Sequence, residues 1–237
     1  MYRKAIFCVV LLCALSVQAQ NLQLHFDGRS SLYGKEEFST NYLTATFELF
    51  KPDRLGSTFL FVDADFNLSN GNVGMMYTEV TRKFQIGNFP LQPLIEYNGG
   101  LGLFEANDEV GGYSIPNSYL VGLSYPFQLG SFFMDTYVAY KYNAFEQASH
   151  DVQWTVVWNA NFFNNKLTLC GFTDVWTENK IATDASSDKK IIFLAEPQLW
   201  YNLNSNLSLG SEIRISSNFA GRNKAYVCPT VGVKWEF

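Results

Sequence analysis

The sequence predicts an all-β fold, a closed antiparallel barrel that crosses a membrane with strands. Three observations predict it: how the chain ends, how its segments alternate, and how its connections are sorted by length. The chain closes on Val231-Gly-Val-Lys-Trp-Glu-Phe237. Phe237, Trp235, Val233 and Val231 share one face of a strand, and Lys234, Glu236 and Gly232 share the other. A strand apolar on one side, charged on the other and ending in an aromatic residue suits lipid outside and a wet lumen inside.

Twelve segments alternate with period two and are rich in aromatic and β-branched residues, at about 22–29, 39–51, 55–68, 73–86, 91–104, 113–126, 131–143, 150–161, 166–177, 190–202, 206–217 and 224–237. No apolar helical pattern persists for three turns, so no helix is expected. The connections after segments 2, 4, 6, 8 and 10 are short: Pro52–Arg54, Ile86–Pro90, Gln128–Gly130, Phe163–Asn165 and Asn202–Ser205. Those after segments 1, 5, 7, 9 and 11 are longer and polar, the longest being Glu178–Lys190. Ser69–Asn72, after segment 3, is the one short exception. Short turns at one end and long loops at the other are the outer-membrane pattern, periplasmic and extracellular respectively. The expectation is therefore a 12-stranded antiparallel transmembrane outer-membrane β-barrel with both termini at the periplasmic end.

The start of the chain agrees. Arg3 and Lys4 precede the apolar run Ala5–Leu15, and Val17-Gln18-Ala19 is a small-residue cleavage site. This reads as a secretory signal peptide over 1–19, followed by a barrel domain over 20–237. The run is shorter than the roughly 20 apolar residues of a spanning helix. Without Arg3 and Lys4 the chain keeps 15 Lys+Arg against 22 Asp+Glu, a formal charge of about −7. That excludes a nucleic-acid binder, which needs a basic stripe. Charged residues make up 16 % of the chain, fewer than the quarter or so of a soluble globule. Cys170 and Cys228, with only two histidines, make no metal site by spacing, and no motif asks for a cofactor.

The pleat sorts inside from outside. In the second segment Leu43, Ala45, Phe47 and Leu49 face lipid, and Tyr42, Thr44, Thr46 and Glu48 face the lumen. In the seventh, Phe132, Met134, Thr136, Val138 and Tyr140 face out, and Asp135, Tyr137 and Lys141 face in. In the eleventh, Leu207, Leu209, Ile213 and Ile215 face out, and Glu212 and Arg214 face in. A charge on the lipid face at mid-membrane costs on the order of 2–4 kcal/mol, so inward charges are the rule. Arg82, adjacent to Lys83, must break it near an interface unless a bulge intervenes.

Candidate ligand-binding residues follow from the inward set. Glu48, Asp63, Asp65, Glu79 and Glu96 lie on four consecutive segments, with Phe59 and Phe61 pointing the same way. Carboxylates there can accept hydrogen bonds from hydroxyl and amino groups of a solute, and the rings can stack on it. The alternative is that these acids pair with Lys83, Lys141, Arg214 and Lys234 and fill the barrel. Asp63 and Asp65, about 7 Å apart along one face, could hold a cation or simply be solvated. Phe172, Asp174 and Trp176 form a second inward aromatic–acid group, with Asp135, Lys83 and Lys141 completing the candidate set. A lipid hydrolase would need a histidine beside an exposed nucleophilic serine, and no serine motif accompanies His25 or His150.

Asn41–Asp65 resembles the second hairpin of the Tsx nucleoside-specific outer-membrane channel family, through Phe47, Glu48, Phe50, Asp63 and Ala64. Similar patches follow in order at Tyr77–Phe84, Tyr119–Leu123 with Val138–Lys141, and Gly171–Asp174. The chain is also similar to Tsx-like outer-membrane proteins with shorter loops. The resemblance implies a narrow barrel with solute-binding spots along its lumen, gripping nucleosides by aromatic and ionisable side chains. It implies outer-membrane lipid as the surroundings and the barrel assembly machinery as reader of the terminal aromatic strand. The chain departs from the family in its shorter outer loops and in fewer aromatic residues towards the C-terminus. The expected function is passive diffusion of small hydrophilic solutes, nucleosides by resemblance, and not catalysis. A non-conducting structural or surface-interaction barrel is the alternative, and an outer-membrane lipid hydrolase a third reading.

Overall fold

The computed structural model describes residues 20–106, 109–144, 148–181, 184 and 187–237. The expected signal peptide, 1–19, lies outside the described residues, as do 182–183 and 185–186 of the longest expected loop.

Alternating sequence builds thirteen strand segments: β1 (Gln20–Asp27), β2 (Tyr42–Asp53), β3 (Gly56–Asp65), β4 (Met75–Phe84), β5 (Gln92–Ala106), β6 (Glu109–Leu129), β7 (Phe132–Asn143), β8 (Ser149–Phe162), β9 (Leu167–Asn179), β10 (Lys189–Ala195), β11 (Gln198–Asn202), β12 (Leu207–Ser217) and β13 (Ala225–Glu236). Each pairs antiparallel with its neighbours, and β1 closes the sheet on β13. β10 and β11 both pair with β9 and with β12, so they are two lengths of one wall position and the barrel is 12-stranded. The break falls at Glu196-Pro197, where Pro197 has no N–H to give the ladder. Gly171 opposite takes φ +146°, and a Cβ there would sit 2.4 Å from the Glu196 carbonyl oxygen. The bulge and the glycine require each other.

The alternation expected from sequence sets the walls. Gln23, His25 and Asp27 of β1 are buried inward, while Leu22, Leu24 and Phe26 are exposed outward. On β13, Cys228, Thr230 and Lys234 are buried and Val227, Val231 and Trp235 exposed. Arg82 points outward without a bulge, its β3 and β5 ladders being continuous. It forms a two-pronged pair with Asp53 at the β2–β3 turn, at 2.6 and 2.9 Å, so the exception lies at the periplasmic edge.

Three expectations are corrected. A five-residue helix, α1 (Arg29–Tyr33), follows β1; it is too short to show as a three-turn pattern. The long loop expected after the fifth segment is strand instead. Phe104 pairs with Gly111 and Ala106 with Glu109, because Phe104 and Tyr113 lay their rings over the cross-strand glycines 111 and 102. The link at Ser69–Asn72 is not short: β3 stops at Asp65 and β4 starts at Met75, with Gly74 N–H turned back to the Asp65 carbonyl at 2.9 Å. With that, the extracellular side is one of long loops and one tall ribbon. The β5–β6 ladder skips between Asn98 and Gly100, where Pro116 lacks a donor.

Candidate functional site

The lumen is where the charged side chains converge, and they form two patches. The first is built on β4, β5, β7, β8 and β9. The Glu96 carboxylate accepts from the Tyr137 hydroxyl at 2.8 Å, the Thr81 hydroxyl at 3.0 Å and the Asn98 amide at 3.2 Å. Glu79 shares this face, because Glu79 pairs with Asn98 and Phe61 across its two ladders. Asp174 accepts from the Thr155 hydroxyl. Among the described residues none of Glu79, Glu96 and Asp174 makes an ion pair within 4.0 Å. Lys141 acts on these acids from a distance; its Nζ donates to Gln153 at 3.0 Å and sits 4.8 Å from the Trp176 ring centre. Phe61 and Tyr77 meet edge to face at 6.3 Å on the same side. At the patch margin Lys83 pairs with Asp135 at 2.7 Å and covers the Tyr137 ring.

The second patch centres on Arg214 of β12. Its guanidinium pairs with Glu196 at the β10–β11 break. Asp63, Asp65 and Glu212 stand within its electrostatic reach. Each of these acids has its own donor: Thr46 for Asp63, Thr44 for Asp65 at 2.6 Å, and the Gln198 amide for Glu212 at 2.8 Å. Asp63 and Asp65 are thus held separately, each by a threonine of β2. Near the extracellular mouth Arg29 pairs with Asp27 and lies over the Phe38 and Tyr42 rings.

All thirteen candidates face the lumen, by register or by contact, but they do not form one cluster. Glu79, Glu96, Asp174, Lys141, Trp176 and Phe61 meet in the first patch, with Lys83 and Asp135 at its margin. Asp63 and Asp65 belong to the second. Phe59, opposite Thr81, continues the face of Phe61. Glu48 accepts from Asn21 at 2.9 Å towards the periplasmic end. Phe172 sits at the break, its carbonyl accepting from Glu196 N–H at 3.0 Å. Reading by alternation missed Glu196, Tyr137 and Trp200. Pro197 within a strand was the signal for Glu196, because it marks a bulge that re-aims a neighbour. The alternation puts Tyr137 inward; its hydroxyl reaches Glu96 across β6.

The mid-lumen is also partly filled. Leu94, Leu120, Tyr137 and Ala139 form a buried inward cluster, and Trp200 is fully enclosed beside His25 and Lys234. His25 is occupied at both nitrogens, Nε2 hydrogen-bonded to the Gln23 side-chain oxygen and Nδ1 to the Thr230 hydroxyl, each at 2.9 Å. His150 is exposed and bonded to the Tyr140 hydroxyl. Neither meets a serine among these bonds.

A family model described as a domain of unknown function (DUF5020) matches residues 19–237. The chain belongs to that family. No curated protein matches it. Among solved structures it is similar to a NanC porin, at 11 % identity and TM-score 0.56, covering 92 % of this chain and 100 % of that one. LpxR from Salmonella typhimurium, at 9 % identity and TM-score 0.48, covers 92 % and 100 %, a likeness too loose to carry an argument. These identities speak for the fold alone. The shared architecture and the apolar outer belt make this DUF5020 member a bacterial outer-membrane barrel.

Proposed function

We propose that this barrel is a channel for passive diffusion of small hydrophilic solutes that carry hydrogen-bond donors, neutral or cationic, with nucleosides as the favoured class. The observation that carries this reading is the mid-lumen patch of Glu79, Glu96 and Asp174, acids held by hydroxyls and amides with no cation in contact. Lumen carboxylates short of cations favour ligands that bring donors or positive charge. A ribose offers hydroxyls, a base offers amino groups, and Phe61, Tyr77 and Trp176 offer rings for stacking. The resemblance of Asn41–Asp65 to the nucleoside-channel family and the porin-like fold support the same reading.

The experiment is single-channel recording in planar bilayers under a potassium chloride gradient, with uridine added in steps. The expected result is a cation-preferring conductance that uridine reduces in a saturable way. Anion preference would end the proposal, and indifference to uridine would remove nucleosides from it. The second reading, a barrel that does not conduct, draws on the enclosed Trp200 and the Leu94–Leu120–Tyr137–Ala139 cluster. Silence in the same recordings, from protein shown to be folded, would favour it.

A further inference from the structure

The barrel wall is short where it closes. Among the described residues β1 has eight, and its ladder with β13 ends at Asp27 opposite Thr230. A membrane strand needs about 9–11 residues at a tilt near 45°. Eight residues at that tilt rise about 19 Å, short of the roughly 25 Å apolar band. β13 continues past Thr230 to Ala225, paired with β12 but, among the described residues, with no strand on its other side.

Backbone groups at that height need partners, because lipid offers none. One of the open pairs is met by a side chain. The Tyr33 hydroxyl donates to the Val227 carbonyl at 2.9 Å and accepts from the Val227 N–H at 2.9 Å, taking the place of a strand residue. Pro229 has no N–H to satisfy. Behind Tyr33 stand Phe38, Tyr226 and Cys228, which close the lumen side. In front, on the outer face, Gly28, Ser31, Leu32 and Pro229 line an open notch of about 320 Å³. Leu32, Phe26, Val227 and Val231 are exposed around it, so the notch continues the apolar belt.

We propose that this notch at the β1–β13 seam is a binding site for one hydrocarbon chain of an outer-leaflet lipid. The occupant follows from that continuity: the notch opens on the surface lipid already covers, its walls are mainly apolar, and its volume suits part of one chain. An occupied notch would shield the seam where Tyr33 stands in for a strand.

The test uses the full protein in bilayers of phosphatidylcholine doped with a phosphatidylcholine bearing a diazirine on its acyl chain. Adducts are mapped by mass spectrometry after illumination. The expected result is labelling of 28–32 and 229 several-fold above that of Val121 and Leu123, outward residues of β6. Leu32→Trp, which fills the notch, should bring labelling of 229 down to that reference and leave β6 labelling unchanged. Ser31→Phe serves the same end if Leu32→Trp does not fold, folding being read by the heat-dependent gel shift. Labelling at the notch no higher than on β6, or insensitivity to both fillings, would overturn the proposal.

Discussion

The lumen handles its acids in two ways. Around Arg214 a cation is in contact with Glu196, and the neighbouring Asp63, Asp65 and Glu212 share its field. Around Glu79, Glu96 and Asp174 the partners are neutral: Tyr137, Thr81, Asn98 and Thr155. The first arrangement is that of a structural brace, tying the β10–β11 break to β12. The second has no cation in contact, Lys141 and Lys83 acting on it only from a distance, which leaves its acids open to a visiting solute. The lesson is that facing one lumen does not mean sharing one role; the identity of the partner separates wall from path.

The largest expected effect tests the brace. Arg214→Ala leaves Glu196 inside without its cation, and breaking such a pair destabilises by about 3–5 kcal/mol. Urea unfolding in micelles, followed by tryptophan fluorescence, would read it; an unchanged midpoint would show that the brace carries nothing. The opposite sign is expected in the other patch. Glu79→Gln with Glu96→Gln and Asp174→Asn keeps shape and removes acids that no cation touches, so the fold should hold while cation-over-anion permeability drops several-fold. If this variant unfolds readily, the two patches are not different in kind. A smaller loss of cation preference is expected from Asp63→Asn with Asp65→Asn, since Arg214 already offsets these acids. Reversal potentials that match those of the wild type would take them off the path.

The smallest effect lies outside the membrane. Glu37, in the loop after α1, accepts from Lys224 at 2.6 Å and from Tyr226, with Arg222 at 3.6 Å. The Lys224 hydrogen bond comes first among the causes that hold its carboxyl below the usual range, Tyr226 second. A lowered carboxyl contributes above its unfolded value, near 4.3, and its contribution fades as pH falls through the folded value. Spin labels at Lys35→Cys and Asn223→Cys should hold one distance at neutral pH and broaden in acid, as pH falls below the usual carboxyl range. With Glu37→Gln the distribution should be broad throughout; a distance unchanged by acid would show that the loops are joined by other contacts.

Much of this was legible in the chain. Strand periodicity placed Thr46, Glu48, Asp135 and Arg214 inward, because a pleat reverses every residue and lipid excludes charge from one face. Arg82 was legible as the exception, and Asp53 explains where it goes. The tall β5–β6 ribbon was not, because the stretch 105–112, with Gly111 and Gly112 in it, reads as loop until Phe104 covers Gly111. Nor was α1, whose Tyr33 has its partner at Val227, nearly two hundred residues away along the chain.

By itself the sequence determined the strands, their two faces and the acid surplus of the lumen, since these depend on local alternation and on composition. Only the tertiary structure decided which charge meets which. Lys83 reaches Asp135 and Tyr137 reaches Glu96 across intervening strands, and Arg214 reaches Glu196 because Pro197 breaks the wall beside it. Those pairings follow from closure, shear and one bulge, which set distances across the lumen that no local pattern encodes.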